Sequence, residues 1–259
     1  MQLSSFVLPH QIDALEAAGG DYVDFFLGTT LSPMNDEEFE AFAVSALAGE
    51  LVVDRFAGLL PADLKVTGPG VDLDAQDAYV TRVFERVRWL SAGGVVVFGS
   101  GGARRIPDGF DRATALDQLE DFIRRASRIA VEHDAVLTLE HLNRGESNVF
   151  NSLRESGEFL RERELDETRL VADLFHFEEE SESLDVIDEF ADLIVHAHVA
   201  DTGRRAPGTG SYPIAEFFAA LKSNGYEGRM SIECRWEDFD AQIGPSLRFL
   251  RDAAETAGY

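Results

Sequence analysis

Residues 114–140, TALDQLEDFIRRASRIAVEHDAVLTLE, change their hydrophobic period once, and that change decides the fold. Over the first part Leu116, Leu119, Phe122, Ile123, Ala126 and Ile129 recur at spacings of three and four, which gives a helix one apolar stripe. From Val136 to Glu140 the chain becomes a short, mostly apolar run that suits a strand packed on both faces. Outward from this unit the same alternation repeats. Strands are expected near residues 2–7, 21–27, 51–57, 94–98, 136–140, 169–173, 193–199 and 229–233, with helical segments between them. The final segment, 240–257, places Ile243, Leu247, Leu250 and Ala254 on one stripe and closes the series. No linker, low-complexity tract or second composition regime interrupts these eight strand–helix pairs. They predict an α/β fold, a single (β/α)8 TIM barrel over residues 1–259.

Length and composition agree, since α/β barrels commonly reach about 250 residues as one unit. The chain has 259 residues, of which 45% are hydrophobic and 27% charged, enough apolar material for a large core. Its formal net charge is −25, and only Lys65 and Lys222 represent lysine. Such a field repels phosphate backbones and acidic membranes, and no run of Lys or Arg exceeds two residues, which argues against nucleic acid or membrane as partner. Cys234 is the only cysteine, so no intramolecular disulfide can form. The opening residues MQLSSFVLPHQIDALEAAGG lack a basic start followed by a long apolar stretch, and a cytoplasmic protein is expected.

Four strands of the second half finish in a metal-ligating residue type: TLE at Glu140, VAD at Asp173, HAH at His198 and SIE at Glu233. In a TIM barrel the catalytic groups come from the C-terminal strand ends, whereas a charge midway along a buried strand is costly. Strand alternation supports the same grouping. Thr138 with Glu140, Val171 with Asp173, His196 with His198, and Ser231 with Glu233 point into the barrel, while Leu137, Leu139, Val195, Ala197, Val199, Met230 and Ile232 face the helices. Singly, a strand-end carboxylate caps the next helix and a strand histidine is a hydrogen-bonded core group. Together, three carboxylates at one rim repel each other unless a cation neutralises them. Mixed oxygen and nitrogen ligation favours Mn²⁺ or Co²⁺, with Mg²⁺ and Zn²⁺ as the other candidates.

The spans LTLEHLNRGE, VADLFH, HAHVADTGR and SIEC resemble the metal-site segments of the xylose-isomerase-like TIM-barrel superfamily, in particular ketose 3-epimerases of the tagatose/psicose type and hydroxypyruvate isomerase. The resemblance implies a divalent-metal-dependent isomerase or epimerase of carbohydrate metabolism, acting on a small ketose, ketose phosphate or keto acid. By position it makes Glu140, Asp173, His198 and Glu233 the metal ligands, and Glu146, His176 and Arg204 contacts to substrate oxygens. Glu140 and Glu233 become the catalytic bases, removing a proton next to a metal-bound carbonyl through an enediolate. His141 departs from the family pattern, which commonly has proline there. A metal-dependent dehydratase of the inosose or dehydroshikimate type is the alternative on the same barrel. An endonuclease would need histidines from the early strands, and a barrel that binds sugar without chemistry would hold metal and show no turnover. A homo-oligomer is compatible with this kind of barrel.

Four further features carry expectations of their own. FGSGGARRIPDG, residues 98–109, reads as a tight surface loop with solvated Arg104 and Arg105, with an anion cradle as the alternative. APGTG after Arg204 is a similar Gly-rich loop beyond strand seven. His176 is placed in the loop leaving strand six, and His196, one layer below His198, is read as a residue that orients a ligand.

Overall fold

The computed structural model describes residues 1–259. Its strands are β1 (Gln2–Val7), β2 (Tyr22–Phe26), β3 (Val52–Ala57), β4 (Gly94–Phe98), β5 (Ala135–Glu140), β6 (Arg169–Asp173), β7 (Ile194–Val199) and β8 (Arg229–Ile232). All neighbours are parallel, and the sheet closes in chain order with β1 paired to β8. This is the expected (β/α)8 barrel, with strand limits within a residue of the expected ones.

The helices are α1 (Ile12–Ala17), α2 (Asp36–Leu47), α3 (Leu73–Leu90), α4 (Gly101–Arg104), α5 (Arg112–Glu132), α6 (Leu153–Glu162), α7 (Leu174–Glu180), α8 (Val186–Phe190), α9 (Ile214–Ser223) and α10 (Phe239–Thr256). Their starts are written locally. Asp72, Asp111, Ser152 and Asp238 each accept the backbone N–H three residues on, satisfying a donor the helix cannot satisfy itself. Asn35 and Glu38 form a reciprocal capping box at the head of α2.

Strand alternation sorts the interior. Leu137, Leu139, Ala197, Val199, Met230 and Ile232 join a 61-residue apolar core with the helix stripes, including Leu119, Phe122, Ile123 and Ala126 of α5. Inside the barrel a small separate cluster, Ala57, Val97 and Val171 with Phe6 against it, shares the space with buried Thr138, His196 and Ser231. The inward positions are thus largely polar in the half of the barrel that carries the strand-end acids. No helix is long and apolar enough to cross a membrane.

Candidate metal and substrate site

Glu140 ends β5, Asp173 ends β6, His198 is the penultimate residue of β7, and Glu233 follows β8. Parallel pairing sets Asp173 beside His198, so adjacent strands deliver their donors at one height. One candidate ligand atom from each of the four lies within 4.8 Å of the others. His198 is central: its Nδ1 is 2.7 Å from Glu140 Oε1, 3.1 Å from Glu233 Oε2 and 4.0 Å from Asp173 Oδ2.

Burial and mutual charge set the ionisation of these groups. Glu140 is raised, by burial first and then by Glu233, against the pull of His198. Asp173 is pushed up to about 7 by burial and by Glu233 and Glu140. Burial also acts upward on Glu233, but Arg204 and His198 outweigh it and hold the carboxyl at about 2. His198 is raised well above the usual histidine value, because Glu140 and Glu233 overcome the burial that opposes its charge. The four groups therefore demand positive charge at their centre.

A divalent cation fits that demand. Donors sharing one cation at about 2.1 Å sit roughly 3 to 4 Å apart. Asp173 Oδ2 and Glu233 Oε2 are buried and carry no hydrogen bond, so lone pairs are free on the side that faces His198 Nδ1. The other Asp173 oxygen is fixed at 2.8 Å by the Phe175 N–H at the head of α7. Gly99, just after β4, is required by close approach: a Cβ there would lie 2.3 Å from Glu140 Oε2.

The proposed substrate contacts lie against the same centre. Arg204 donates from Nη1 to Glu146 Oε1 at 2.7 Å, pairs through Nη2 with Glu233 Oε1 at 2.8 Å, and stacks 4.7 Å from the Phe175 ring centroid. Its backbone is left-handed, with a φ of +59°. His176 is fully buried, its Nε2 3.6 Å from Asp173 Oδ2. Asn143, to which the sequence reading assigned no role, joins the group: its N–H donates to His176 Nδ1 at 3.0 Å and its amide to Glu146 Oε1 at 3.1 Å. His141 is buried edge-on to Phe177, and burial holds its imidazole at about 3, a neutral packing group where proline was the family pattern.

Three expectations are corrected. His176 lies in the first turn of α7 rather than in a loop, because that helix starts directly after Asp173. Arg104 is not solvated: it is wholly buried and donates to the carbonyls of Phe98 and Glu140 at 3.2 and 2.7 Å, tying the end of β4 to the end of β5. The Gly-rich loop after Arg204 has its own anion, since Asp201 accepts backbone N–H bonds from Thr202, Gly208, Gly210 and Tyr212. Also absent from the sequence reading were Leu8 and Phe26, large apolar residues at the ends of β1 and β2 that remain exposed, and buried Asp24 on β2. The cavity of about 290 Å³ lined by Arg124, Arg128 and Thr168 lies at the opposite, N-terminal end of β6 and touches none of the site residues.

The fold and its strand-end cluster define a class, the barrel with an acid-rich metal-type site at the C-terminal mouth. The chain belongs to the xylose isomerase-like TIM barrel family, whose sequence profile matches residues 12–253. It is 27% identical over 181 residues to 3-dehydro-D-guloside 4-epimerase of Escherichia coli, covering 66% of this chain and 69% of that protein. It is 36% identical over 146 residues to D-psicose 3-epimerase of Enterocloster bolteae, covering 55% of this chain but only 46% of the relative. Among solved structures, D-allulose 3-epimerase from Methylomonas superposes with a TM-score of 0.85 at 19% identity, covering 98% of each chain, a likeness of fold. An enzyme of the isomerase and epimerase kind agrees with all three names.

Proposed function

We propose that the protein is a divalent-metal-dependent epimerase or isomerase of a small ketose or keto acid. The observation that carries the reading is the convergence of Glu140, Asp173, His198 and Glu233, from four successive strands, within 4.8 Å. Glu140, Asp173, His198 and Glu233 would hold the cation, with Mn²⁺ or Co²⁺ the best match to three carboxylates and one imidazole. When bound, the metal supplies the positive charge that polarises a carbonyl and acidifies the adjacent C–H.

The remaining chemistry belongs to the chain's own residues. Glu140 and Glu233 reach the centre from β5 and from beyond β8, 2.7 and 3.1 Å from His198 Nδ1, and on this reading they serve opposite faces of the reacting carbon. One takes a proton from carbon and the other returns one from the opposite face, which inverts the centre; return to the former carbonyl carbon, with the hydroxyl proton passing to the former carbonyl oxygen, isomerises the substrate. Arg204, Glu146 and His176 orient substrate oxygens, with Asn143 holding Glu146 and His176 in register. Leu8 and Phe26 offer apolar surface at the mouth to the C–H side of a sugar.

The test is a panel of ketoses, ketose phosphates and hydroxypyruvate incubated in D₂O with Mn²⁺-loaded protein and followed by NMR. Deuterium should enter a carbon next to the carbonyl of at least one compound, together with its epimer or isomer. Exchange nowhere in the panel, by protein shown to carry metal, would remove the proposal.

A further inference from the structure

Beneath the four donors the barrel carries a second polar layer. Tyr22 and Asp24 of β2, His196 of β7 and Ser231 of β8 are all wholly buried. The Tyr22 hydroxyl lies 2.7 Å from Ser231 Oγ, and Ser231 Oγ donates to Asp24 Oδ2 at 2.7 Å. His196 Nε2 is 3.4 Å from the same oxygen. No arginine or lysine hydrogen-bonds to this carboxylate, and Asp24 Oδ1 has no partner at all. A buried acid so weakly compensated is costly, and nothing in the barrel's packing asks for it.

His198 presents the complementary need. Its Nδ1 faces the acids, and its Nε2 is buried without a partner. An imidazole that gives its Nδ1 lone pair to a cation carries its remaining proton on Nε2, and a buried N–H requires an acceptor. Asp24, His196 and His198 each bring one polar atom within 4.8 Å of the others, close enough for a small rotation or one bridging water to join Asp24 to the ring. The ring itself is clamped edge-on by Phe6 at 5.2 Å and His196 at 4.9 Å, so its plane is fixed but its tautomer is not.

We propose that Asp24 is a positioning residue for His198: its carboxylate fixes the Nε2–H tautomer and so aims the Nδ1 lone pair at the metal position. Ser231, backed by Tyr22, holds Asp24 in place. This inference rests on the metal reading above.

The experiment measures Mn²⁺ affinity by competition with a chromophoric chelator for the wild type, Asp24→Asn and Ser231→Ala, with the Co²⁺ visible spectrum and the metal-free melting temperature of each. Asp24→Asn should still bind one equivalent but about 10- to 100-fold more weakly, with a shifted Co²⁺ spectrum. Its metal-free form should still melt cooperatively, because the role assigned to Asp24 is exerted on the metal position. A purely structural role gives the reverse, a lower metal-free melting temperature with unchanged affinity and spectrum, and overturns the inference. Wild type binding two cations, one lost in Asp24→Asn, makes Asp24 a ligand and also overturns it. Should Asp24→Asn not fold, Ser231→Ala decides: weaker binding supports the role and unchanged binding refutes it. Failure of the metal reading itself is distinct, since it appears as no binding by the wild type.

Discussion

Glu140 and Glu233 approach the same imidazole nitrogen, yet their environments push their basicities apart. Glu140 is raised by burial and by its acidic neighbour, whereas the Arg204 guanidinium and His198 hold Glu233 low. On the two-base reading one carboxylate takes the proton and the other returns it, so the two should be separable by mutation. Glu140→Gln and Glu233→Gln should each lower net inversion by orders of magnitude, and deuterium exchange of a single epimer should survive in one variant and not the other. Both variants inverting at the wild-type rate with metal in place would exclude the two-base role. Arg204→Ala should keep full metal content and lose about 2 to 4 kcal/mol of transition-state stabilisation, read from kcat/KM. At this scale the strand-end acids were legible because each closes an apolar run, as in VLTLE and RLVAD. Asp24 was not, because YVDFF looks like a strand with one misplaced charge until Ser231 and His196 arrive from the far end of the chain.

Among the elements, the turn after β7 depends on one side chain. Asp201 gathers the N–H groups of Thr202, Gly208, Gly210 and Tyr212, and these bonds outweigh burial to hold its carboxyl below the usual value. A depressed folded-state pKa contributes stability above the unfolded value, about 4, and loses it as pH falls through the folded value. Asp201→Asn should therefore destabilise the protein by about 1 to 3 kcal/mol at neutral pH, and the gap to wild type should narrow as the melt is repeated below about pH 4. A pH-independent gap would show that charge is not what holds the turn. Between α6 and α8, Gly157 leaves room for the Phe190 ring, which a Cβ would approach to 2.3 Å. Gly157→Ala should cost about 1 to 3 kcal/mol in a denaturant melt despite the better helix propensity of alanine, and a stabilised variant would show that the two helices part freely. The elements themselves were readable because each has its own period and several helices have a capping residue at the start. The four-residue helix that buries Arg104 was not, since its placement depends on contacts with Phe98, Glu140 and Ser147 that exist only once the barrel closes.

For the whole molecule, the formal charge of −25 and the three carboxylates at the barrel mouth act in the same direction. A surface of one sign raises the local concentration of cations, and a site built from opposed acids gains most from holding one. The chain folds into a scaffold whose closure brings residues 140, 173, 198 and 233 together, so a cation held there would couple its binding to folding, and the loaded protein should melt higher than the chelated one. The barrel was visible from eight repeats of one alternation, while the layer below the site was hidden because it joins β2 to β7 and β8 across the closure. The most direct test of the central claim is calorimetric titration of Mn²⁺ into chelator-treated protein, wild type beside Asp173→Asn. The account predicts saturation at one equivalent in the wild type and binding weakened by about 100-fold or more in the variant. No saturable binding, or the same isotherm in both proteins, would contradict it.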